Sequence, residues 1–175
     1  MKISNDILKK YFIERIFLKN EFLLKEGDND DNIYYIEDGI VRFVTNTFEE
    51  KEYTFDFGFS NDFVNSYNSY KNNIPSEFSI QAISVVKTHI INKKVIEQVI
   101  TENTDYLFLF IQVLEELLIK KTKREEILIK HCPRNIYRYL IEKEPFFIQN
   151  IPLKYIASYI GITPQALSRI RRNIY

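Results

Sequence analysis

The chain has 175 residues, of which 45% are hydrophobic and 27% charged, with 24 basic and 24 acidic side chains. This composition excludes disordered, collagen-like and low-complexity chains, and the length fits one domain or two small ones. The single cysteine, Cys132, excludes an internal disulfide and an all-cysteine metal site. No apolar run approaches the roughly 18 residues that cross a bilayer, and the polar start is unlike a signal peptide. The sequence therefore predicts a cytoplasmic protein with no membrane partner.

The charge is divided unevenly along the chain. Residues 1–130 carry 17 basic and 22 acidic side chains, whereas residues 131–175 carry seven basic and two acidic ones. No acidic side chain follows Glu144. A small basic unit is an electrostatic footprint for nucleic acid, although a solvated helix face that lacks acids gives the same count.

The first 91 residues predict a helix followed by many short strands. Helical spacing within residues 1–20 is shown by Ile7, Leu8, Tyr11, Phe12 and Arg15. Two apolar runs, Ile33–Glu37 and Ile40–Thr45, are joined by Asp38-Gly39, which predicts a β-hairpin. Further alternating or apolar runs occupy 53–57, 78–82 and 85–91. Short strands with no helices between them indicate an antiparallel sandwich, jelly roll or barrel.

The pattern becomes helical after Asn92, with a short helix at 93–101 and a long one at 104–130. Leu107, Leu114, Lys121 and Leu128 lie seven residues apart and form a partial heptad seam. The apolar stripe packs either on the β-domain or on the same helix of a second chain. The helix outruns a β-domain of this size, which favours a homodimer. The predicted dimerisation residues are Leu107, Phe110, Ile111, Leu114, Leu117 and Leu118.

Residues 131–175 predict a compact helical unit whose most specific segment is IPLKYIASYIGITPQALSRIRR, residues 151–172. Pro152 opens one helix and Gly161 ends it, after which Thr163 caps the next helix and Pro164 is its first residue. Small or apolar residues that face inward are Ile156, Ala157, Ile160, Ile162, Leu167 and Ile170. This is the pattern of a helix-turn-helix, although a helical hairpin used only for packing remains the alternative.

A helix-turn-helix places the start of its second helix in the major groove of DNA. Gln165 would pair with adenine and Arg169 with guanine, while Ala166 or Ser168 would touch a thymine methyl or a base edge. Phosphate contacts, which position the protein without reading sequence, are assigned to Lys154, Tyr155, Thr163, Arg171 and Arg172.

The chain resembles the cyclic-AMP receptor protein/fumarate-nitrate regulator (Crp/Fnr) family of transcription factors. The resemblance is carried by FLLKEGDNDDNIYYIEDGIVRF at residues 22–43, by 63–84 in the place of the family's phosphate-binding cassette, and by 151–172. The last segment resembles Bacteroidetes-type regulators in particular. The resemblance implies an α+β fold: a cyclic-nucleotide-binding-like jelly roll at 1–102, a dimerisation helix at 103–130, and a helix-turn-helix domain at 131–175. The family's wing hairpin is reduced, because only Glu144–Asn150 is available for it.

The cassette departs from the family's cyclic-nucleotide binders. Where they carry a Gly-Glu pair this chain has Asn65-Ser66, and where they carry Arg-Ser it has Pro75-Ser76. The family's arginine holds the cyclic phosphate, and Lys71 nearby is only a point charge on a flexible stem. We therefore expect no tight cyclic AMP binding. The pocket either takes another small molecule or takes none, because the side chains of Tyr67, Tyr70 and Phe78 fill it.

The sequence predicts no cofactor, no metal site and no catalytic residue. One cysteine is too few for an iron–sulfur cluster, and Cys132 is expected to be unpaired and buried. His89 and His131 are interpreted as structural or solvated rather than as haem ligands. A metal-dependent enzyme on a jelly roll would need a histidine cluster, and no nucleophile elbow or phosphate loop is present.

Two functions remain open. The first is a homodimeric regulator that binds a palindromic site in double-stranded DNA and is controlled by an unknown small-molecule effector, if by any. The second is a ligand- or protein-binding module whose helical tail is structural. Its negative N-terminal domain would dock a basic partner such as RNA polymerase, as regulators of the resembled family do.

Overall fold

The computed structural model describes residues 4–47 and 51–174. The chain divides into two compact units, Met1–Val113 and Leu114–Tyr175. The three-part organisation at 1–102, 103–130 and 131–175 stays a prediction, and its end points at Met1 and Tyr175 lie outside the described residues.

The first unit combines short helices with β-strands. In chain order its elements are α1 (Asn5–Tyr11), β1 (Ile13–Phe17), β2 (Phe22–Leu24), β3 (Asn32–Asp38), β4 (Val41–Asn46), β5 (Glu52–Gly58), β6 (Phe63–Val64), α2 (Tyr67–Asn72), β7 (Ser79–Ala82), β8 (Val86–Asn92) and α3 (Lys93–Glu102). Within the described residues the strands form two antiparallel sheets, ordered β1-β8-β3-β6 and β2-β7-β4-β5. The predicted α+β class with antiparallel sheets is confirmed.

The core of this unit joins side chains from both sheets. Alternation along a strand sends every second side chain inward. Phe17, Ile36 and Val86 from one sheet meet Val41 and Ile80 from the other, and each is at most 2% exposed. Burying side chains of this size stabilises the fold by roughly 1.5–3 kcal/mol each.

The hairpin predicted at Asp38-Gly39 is wrong. β3 pairs with β6 and β8, whereas β4 pairs with β5 and β7, so the turn carries the chain from one sheet to the other. A two-residue type I′ hairpin needs positive φ at both central residues, and only Gly39 has it, at +103°. β4 buries four consecutive residues, so both of its faces are covered, and it lies in the other sheet from β3.

The N-terminal helix is shorter than its spacing predicts. α1 ends at Tyr11, and Arg15 lies in β1 instead of on the helix. Phe12 already has extended backbone angles, φ −111° and ψ 151°. The β-branched Ile13 and Ile16 favour a strand, and pairing with β8 buries Phe17 in the core.

The remaining elements are helices. α4 runs from Thr104 to Lys130, the bounds predicted for the long helix, and the division between the two units falls within it. The second unit continues with α5 (Pro133–Lys143), α6 (Pro145–Asn150), α7 (Leu153–Ile160) and α8 (Pro164–Arg172). The segment expected to hold a reduced wing hairpin is the helix α6, because Pro145 starts a turn whose Phe147 is buried.

Candidate functional site

α7 and α8 are joined by a tight turn that closes at Gly161. The Gly161 amide donates to the Ser158 carbonyl at 2.9 Å, and the Ile162 amide donates to the Ala157 carbonyl at 3.0 Å. These two bonds form a Schellman motif, which needs the left-handed conformation that Gly161 adopts at φ +80°. The predicted helix end is confirmed.

The start of α8 follows the predicted cap. Thr163 has extended backbone angles, and its hydroxyl oxygen accepts a hydrogen bond from the Ala166 amide at 3.2 Å. Pro164 is the first helical residue, where its missing N–H leaves nothing unpaired. The cap and the proline together fix where α8 begins and hence which side chains its first turns present.

The inward faces of α7 and α8 form the centre of the second unit. Ile156 and Ala157 are fully buried, and Leu167 is 1% exposed. The small side chain of Ala157 suits close contact between helices. Ile170, predicted to face inward, is half-buried. Phe147 of α6 packs on Tyr159 of α7, with ring centroids 5.2 Å apart.

The outward face of α8 carries polar and basic side chains. Gln165, Ser168, Arg169 and Arg172 are all exposed and follow i, i+3, i+4, i+7 spacing, so they lie along one face. Thr163 and Lys154 are exposed, whereas Ala166 and Tyr155 are half-buried. The Lys154 ammonium lies 4.7 Å from the centre of the Tyr155 ring.

Arg171 differs from its basic neighbours on α8. It is half-buried, and its Nε is a buried atom without a hydrogen-bond partner among the described residues. The guanidinium of Arg124, on α4, lies 4.7 Å from the Tyr159 ring centre and also has an unpartnered buried Nε. Arg124 lies in the charged segment 120–126, KKTKREE. Nothing in that segment distinguishes Arg124 as the side chain that stacks on α7.

The cassette segment is organised around Asp30, a residue that the sequence did not single out. The Asp30 carboxylate is 1% exposed and accepts hydrogen bonds from the Ser66 amide at 3.2 Å and the Asn32 amide at 3.1 Å. The Asp30 amide in turn donates to the Ser69 hydroxyl oxygen at 3.0 Å. Burial raises the pKa of the Asp30 carboxyl above its ordinary value, and these amide hydrogen bonds partly oppose the rise. A carboxylate of the chain itself therefore lies at the start of α2.

The predicted cassette residues differ in their burial and in their contacts, and of these residues Ser66 contacts the Asp30 carboxylate through its amide. Ser66 is buried at the start of α2, and Lys71 is exposed. Ser76 is 3% exposed, and its hydroxyl donates to the Phe78 carbonyl at 2.7 Å. Pro75 bridges to Asn29. Asn65 is half-buried, and its Nδ2 is a buried atom with no hydrogen-bond partner among the described residues.

Aromatic side chains fill part of the space beside the cassette. Phe78 meets Phe55 edge-on with ring centroids 5.2 Å apart, and it lies 5.7 Å from Phe43. Tyr70 is 5% exposed, and burial raises the pKa of its phenol to about 12. The expectation that Tyr67 also fills the interior is wrong, because Tyr67 is 43% exposed and stacks on Tyr70 from outside.

The cysteine and the histidines lie apart from the cassette. Cys132 is exposed, so the prediction of a buried thiol is wrong; it precedes Pro133 at the start of α5, where the backbone is extended and on the surface. His131 is exposed. His89 is half-buried on β8, with its Nε2 2.5 Å from a carboxylate oxygen of Glu37.

The first unit has two antiparallel sheets with a short helix, α2, between its sixth and seventh strands. A family described as the cyclic nucleotide-binding domain matches residues 14–103, which is just over half of the chain. The chain belongs to this family. No curated protein matches its sequence.

Solved structures extend the likeness over nearly the whole chain at low identity. FixK2 from Bradyrhizobium japonicum is 14% identical, with a TM-score of 0.76 over 93% of this chain and 84% of that one. The c-di-GMP responsive global regulator CLP from Xanthomonas campestris is 14% identical, with a TM-score of 0.73 over 96% and 88%. A putative transcriptional regulator of the Crp/Fnr family from Eubacterium rectale is 15% identical, with a TM-score of 0.73 over 97% and 81%.

The structural neighbours thus include Crp/Fnr-family transcriptional regulators, whose fold this chain shares. Among the helices that the structure describes, none is both long enough and apolar enough to cross a membrane.

Proposed function

We propose that this protein is a homodimeric transcriptional regulator of the Crp/Fnr type that reads a palindromic site in double-stranded DNA. The observation that carries the proposal is the outward face of α8, where Gln165, Ser168, Arg169 and Arg172 stand exposed on a helix whose start is fixed by a Thr-Pro cap. No acidic residue occurs in α7 or α8 to repel phosphate. The fold shared with Crp/Fnr regulators supports this role for the helix pair. The same proposal includes membership of the Bacteroidetes-type subgroup, and its one support is the resemblance of residues 151–172 to those regulators.

The side chains of α7 and α8 are proposed to make two kinds of DNA contact, to base edges and to phosphates. Arg169 pairs bidentately with guanine and Gln165 with adenine, because their planar donor groups match those base edges in the major groove. Ala166 and Ser168 lie one and three residues after Gln165, and they contact a thymine methyl or a base edge. The phosphate contacts are assigned to Lys154, Tyr155, Thr163, Arg171 and Arg172.

Arg169→Ala is expected to relax base preference at one position of each half-site, at a cost of about 1–3 kcal/mol in specific affinity. Arg172→Ala is the matched control, since it removes the same charged group from the same face but contacts phosphate. We expect Arg172→Ala to weaken binding to all sequences evenly and to reduce the salt slope by about one per subunit of the bound dimer. Binding of both variants to a panel of singly substituted sites distinguishes the roles. An Arg169→Ala protein with unchanged base preference would refute the assigned contact.

The dimer is proposed to form along α4. No residue of α4, all of which the structure describes, is fully buried within one chain. Leu107, Ile111 and Leu118 are 36%, 42% and 66% exposed, and helical spacing puts them on one stripe with Leu114. Phe110 packs instead beside a cluster of its own chain that contains Ile33, Tyr70, Ile91 and Ile96. A second copy is the occupant that a heptad seam favours, because knobs-into-holes packing is self-complementary.

Leu114→Glu is expected to convert the dimer to a monomer, because it places two carboxylates against each other in an apolar seam. Gln112→Glu is the control, since it adds the same charge on another face of α4. The molar mass in solution is measured by light scattering for both variants. A Leu114→Glu protein that keeps a dimer's mass would contradict the proposed interface.

The sensor domain is proposed not to bind cyclic AMP. The start of α2 lies against the Asp30 carboxylate, so a cyclic phosphate placed there would meet a like charge in a buried setting. Ser66 and Pro75 stand where binders of the resembled family carry glutamate and arginine. The Ser76 hydroxyl is already donated to Phe78. Any effector is proposed to be of a different chemical class, and RNA polymerase is the proposed protein partner.

Added cyclic AMP is expected to leave the unfolding temperature of the protein unchanged, because a ligand stabilises a fold only as far as it binds the native state. Thermal unfolding with and without the nucleotide measures this directly. A rise in unfolding temperature that grows with cyclic AMP concentration would contradict the prediction.

A further inference from the structure

Three potential metal ligands converge on the face of the β1-β8-β3-β6 sheet that points away from the core. Glu14 on β1 stands directly opposite His89 on β8, so both side chains leave the same face of the sheet. Glu37 lies in β3 at a register shift between Ile36 and Asp38. One carboxylate oxygen from each glutamate and one ring nitrogen of His89 lie within 4.8 Å of one another.

The β-bulge gives Glu37 its place in this cluster. An extra residue in one strand locally re-aims its side chain and increases the twist. Here the bulge brings a carboxylate oxygen of Glu37 to 2.5 Å from His89 Nε2.

A cation already occupies the cluster in the form of the Lys87 ammonium. Its Nζ lies 3.1 Å from one oxygen of Glu37 and 3.5 Å from an oxygen of Glu14. Lys87 is 37% exposed at its side chain and sits on a long flexible stem, so it can leave into water without disturbing the strands. When Lys87 leaves, the two carboxylates and the imidazole remain in the cluster.

We propose that Glu14, Glu37 and His89 bind a divalent transition-metal ion of the zinc class in exchange for the Lys87 ammonium. One imidazole nitrogen with two carboxylate oxygens is a donor set that suits zinc, with water in the fourth position, and disfavours the all-oxygen ions calcium and magnesium. Because β1 is an edge strand, such an ion ties it to β8 and β3 at one point. This inference does not depend on the proposed function in DNA binding.

Zinc is titrated into the metal-free full-length protein against a chromophoric chelator, and the unfolding temperature is measured with and without zinc. We expect one tight site per chain and a zinc-dependent rise in unfolding temperature. His89→Gln and Glu37→Gln are each expected to weaken binding at least about tenfold, the loss that even outer-shell changes cause. Lys87→Gln is expected to strengthen binding, which a merely structural lysine would not do.

A control variant tests whether zinc binds to His131 and Cys132 instead of to the proposed cluster. His131 and Cys132 are adjacent and exposed, so a double variant His131→Gln/Cys132→Ser tests whether they hold the ion instead. We expect this variant to bind zinc as the parent does. The proposal is overturned if the parent binds no zinc, if the double variant loses the site, or if Lys87→Gln fails to tighten it.

Discussion

Leu167→Ala is expected to destabilise the second unit by about 2–5 kcal/mol and to abolish DNA binding. Leu167 is 1% exposed and is the one buried residue of α8, whose residues Pro164–Arg172 are all described. Truncation leaves a cavity that two short helices cannot close without shifting, and a shift of α8 moves the whole outward face. A loss of this size is a large part of the 5–15 kcal/mol that holds a typical domain folded.

Hydrogen exchange, followed segment by segment, shows whether Leu167→Ala destabilises only the second unit or the first unit as well. We expect faster exchange in α7 and α8 of the Leu167→Ala protein and unchanged exchange in the β-strands. Leu153→Ala is the control, because Leu153 is 37% exposed in the same helix pair, and a truncation there leaves no enclosed cavity. Equal effects of the two substitutions would show that the interior of the pair is not where its stability lies.

Gly39→Ala is expected to destabilise the first unit by at least about 2 kcal/mol. A Cβ on Gly39 would lie 2.4 Å from the Val85 carbonyl oxygen and 2.8 Å from Val86 Cα, both of them backbone atoms. The φ of +103° adds conformational strain for any L side chain. The turn between β3 and β4 must move, and with it the closure of one sheet over the other.

Gly27→Ala is the control that separates the cost of a positive φ from the cost of the steric clash at Gly39. Gly27 has a φ of +89°, but a Cβ there meets nothing within 4 Å. We expect it to cost only the conformational part, about 1–2 kcal/mol. Urea unfolding of the two variants, monitored on the β-domain, gives the difference. If Gly39→Ala is no worse than Gly27→Ala, the close approach of Val85 does not constrain the turn.

The elements that could be predicted from the sequence are those set by neighbours along the chain. The end of α7 at Gly161 and the start of α8 at Thr163-Pro164 follow from local capping chemistry, and both are confirmed. The bounds of α4 follow from its helical period. Asp38-Gly39 has the local chemistry of a hairpin, but β3 and β4 pair with other strands in different sheets, and this tertiary pairing overrides the local preference.

The parts of the candidate sites that could not be predicted depend on contacts between distant segments. Asp30 lies in a run of acidic and amide residues that is typical of a solvated turn, whereas in the structure it is buried and hydrogen-bonded to the distant Ser66 and Ser69. Glu14, Glu37 and His89 are spread over 76 positions and meet through strand register and one bulge. Cys132 was expected in the interior from its residue type alone, whereas its position before Pro133 puts it on the surface.

Dimeric, sequence-specific binding of DNA is tested by selection of binding sites from a random double-stranded DNA library by the full-length protein, without added ligand and at moderate salt. We expect a two-fold-symmetric motif whose half-sites lie about 10 base pairs apart, one turn of the double helix, as two recognition helices on a dimer require. We also expect the same selection with Arg169→Ala to lose base preference at one position in each half-site. Recovery of no motif, or of an asymmetric motif that Arg169→Ala recovers unchanged, would show that the protein is not a dimeric regulator that reads DNA through α8.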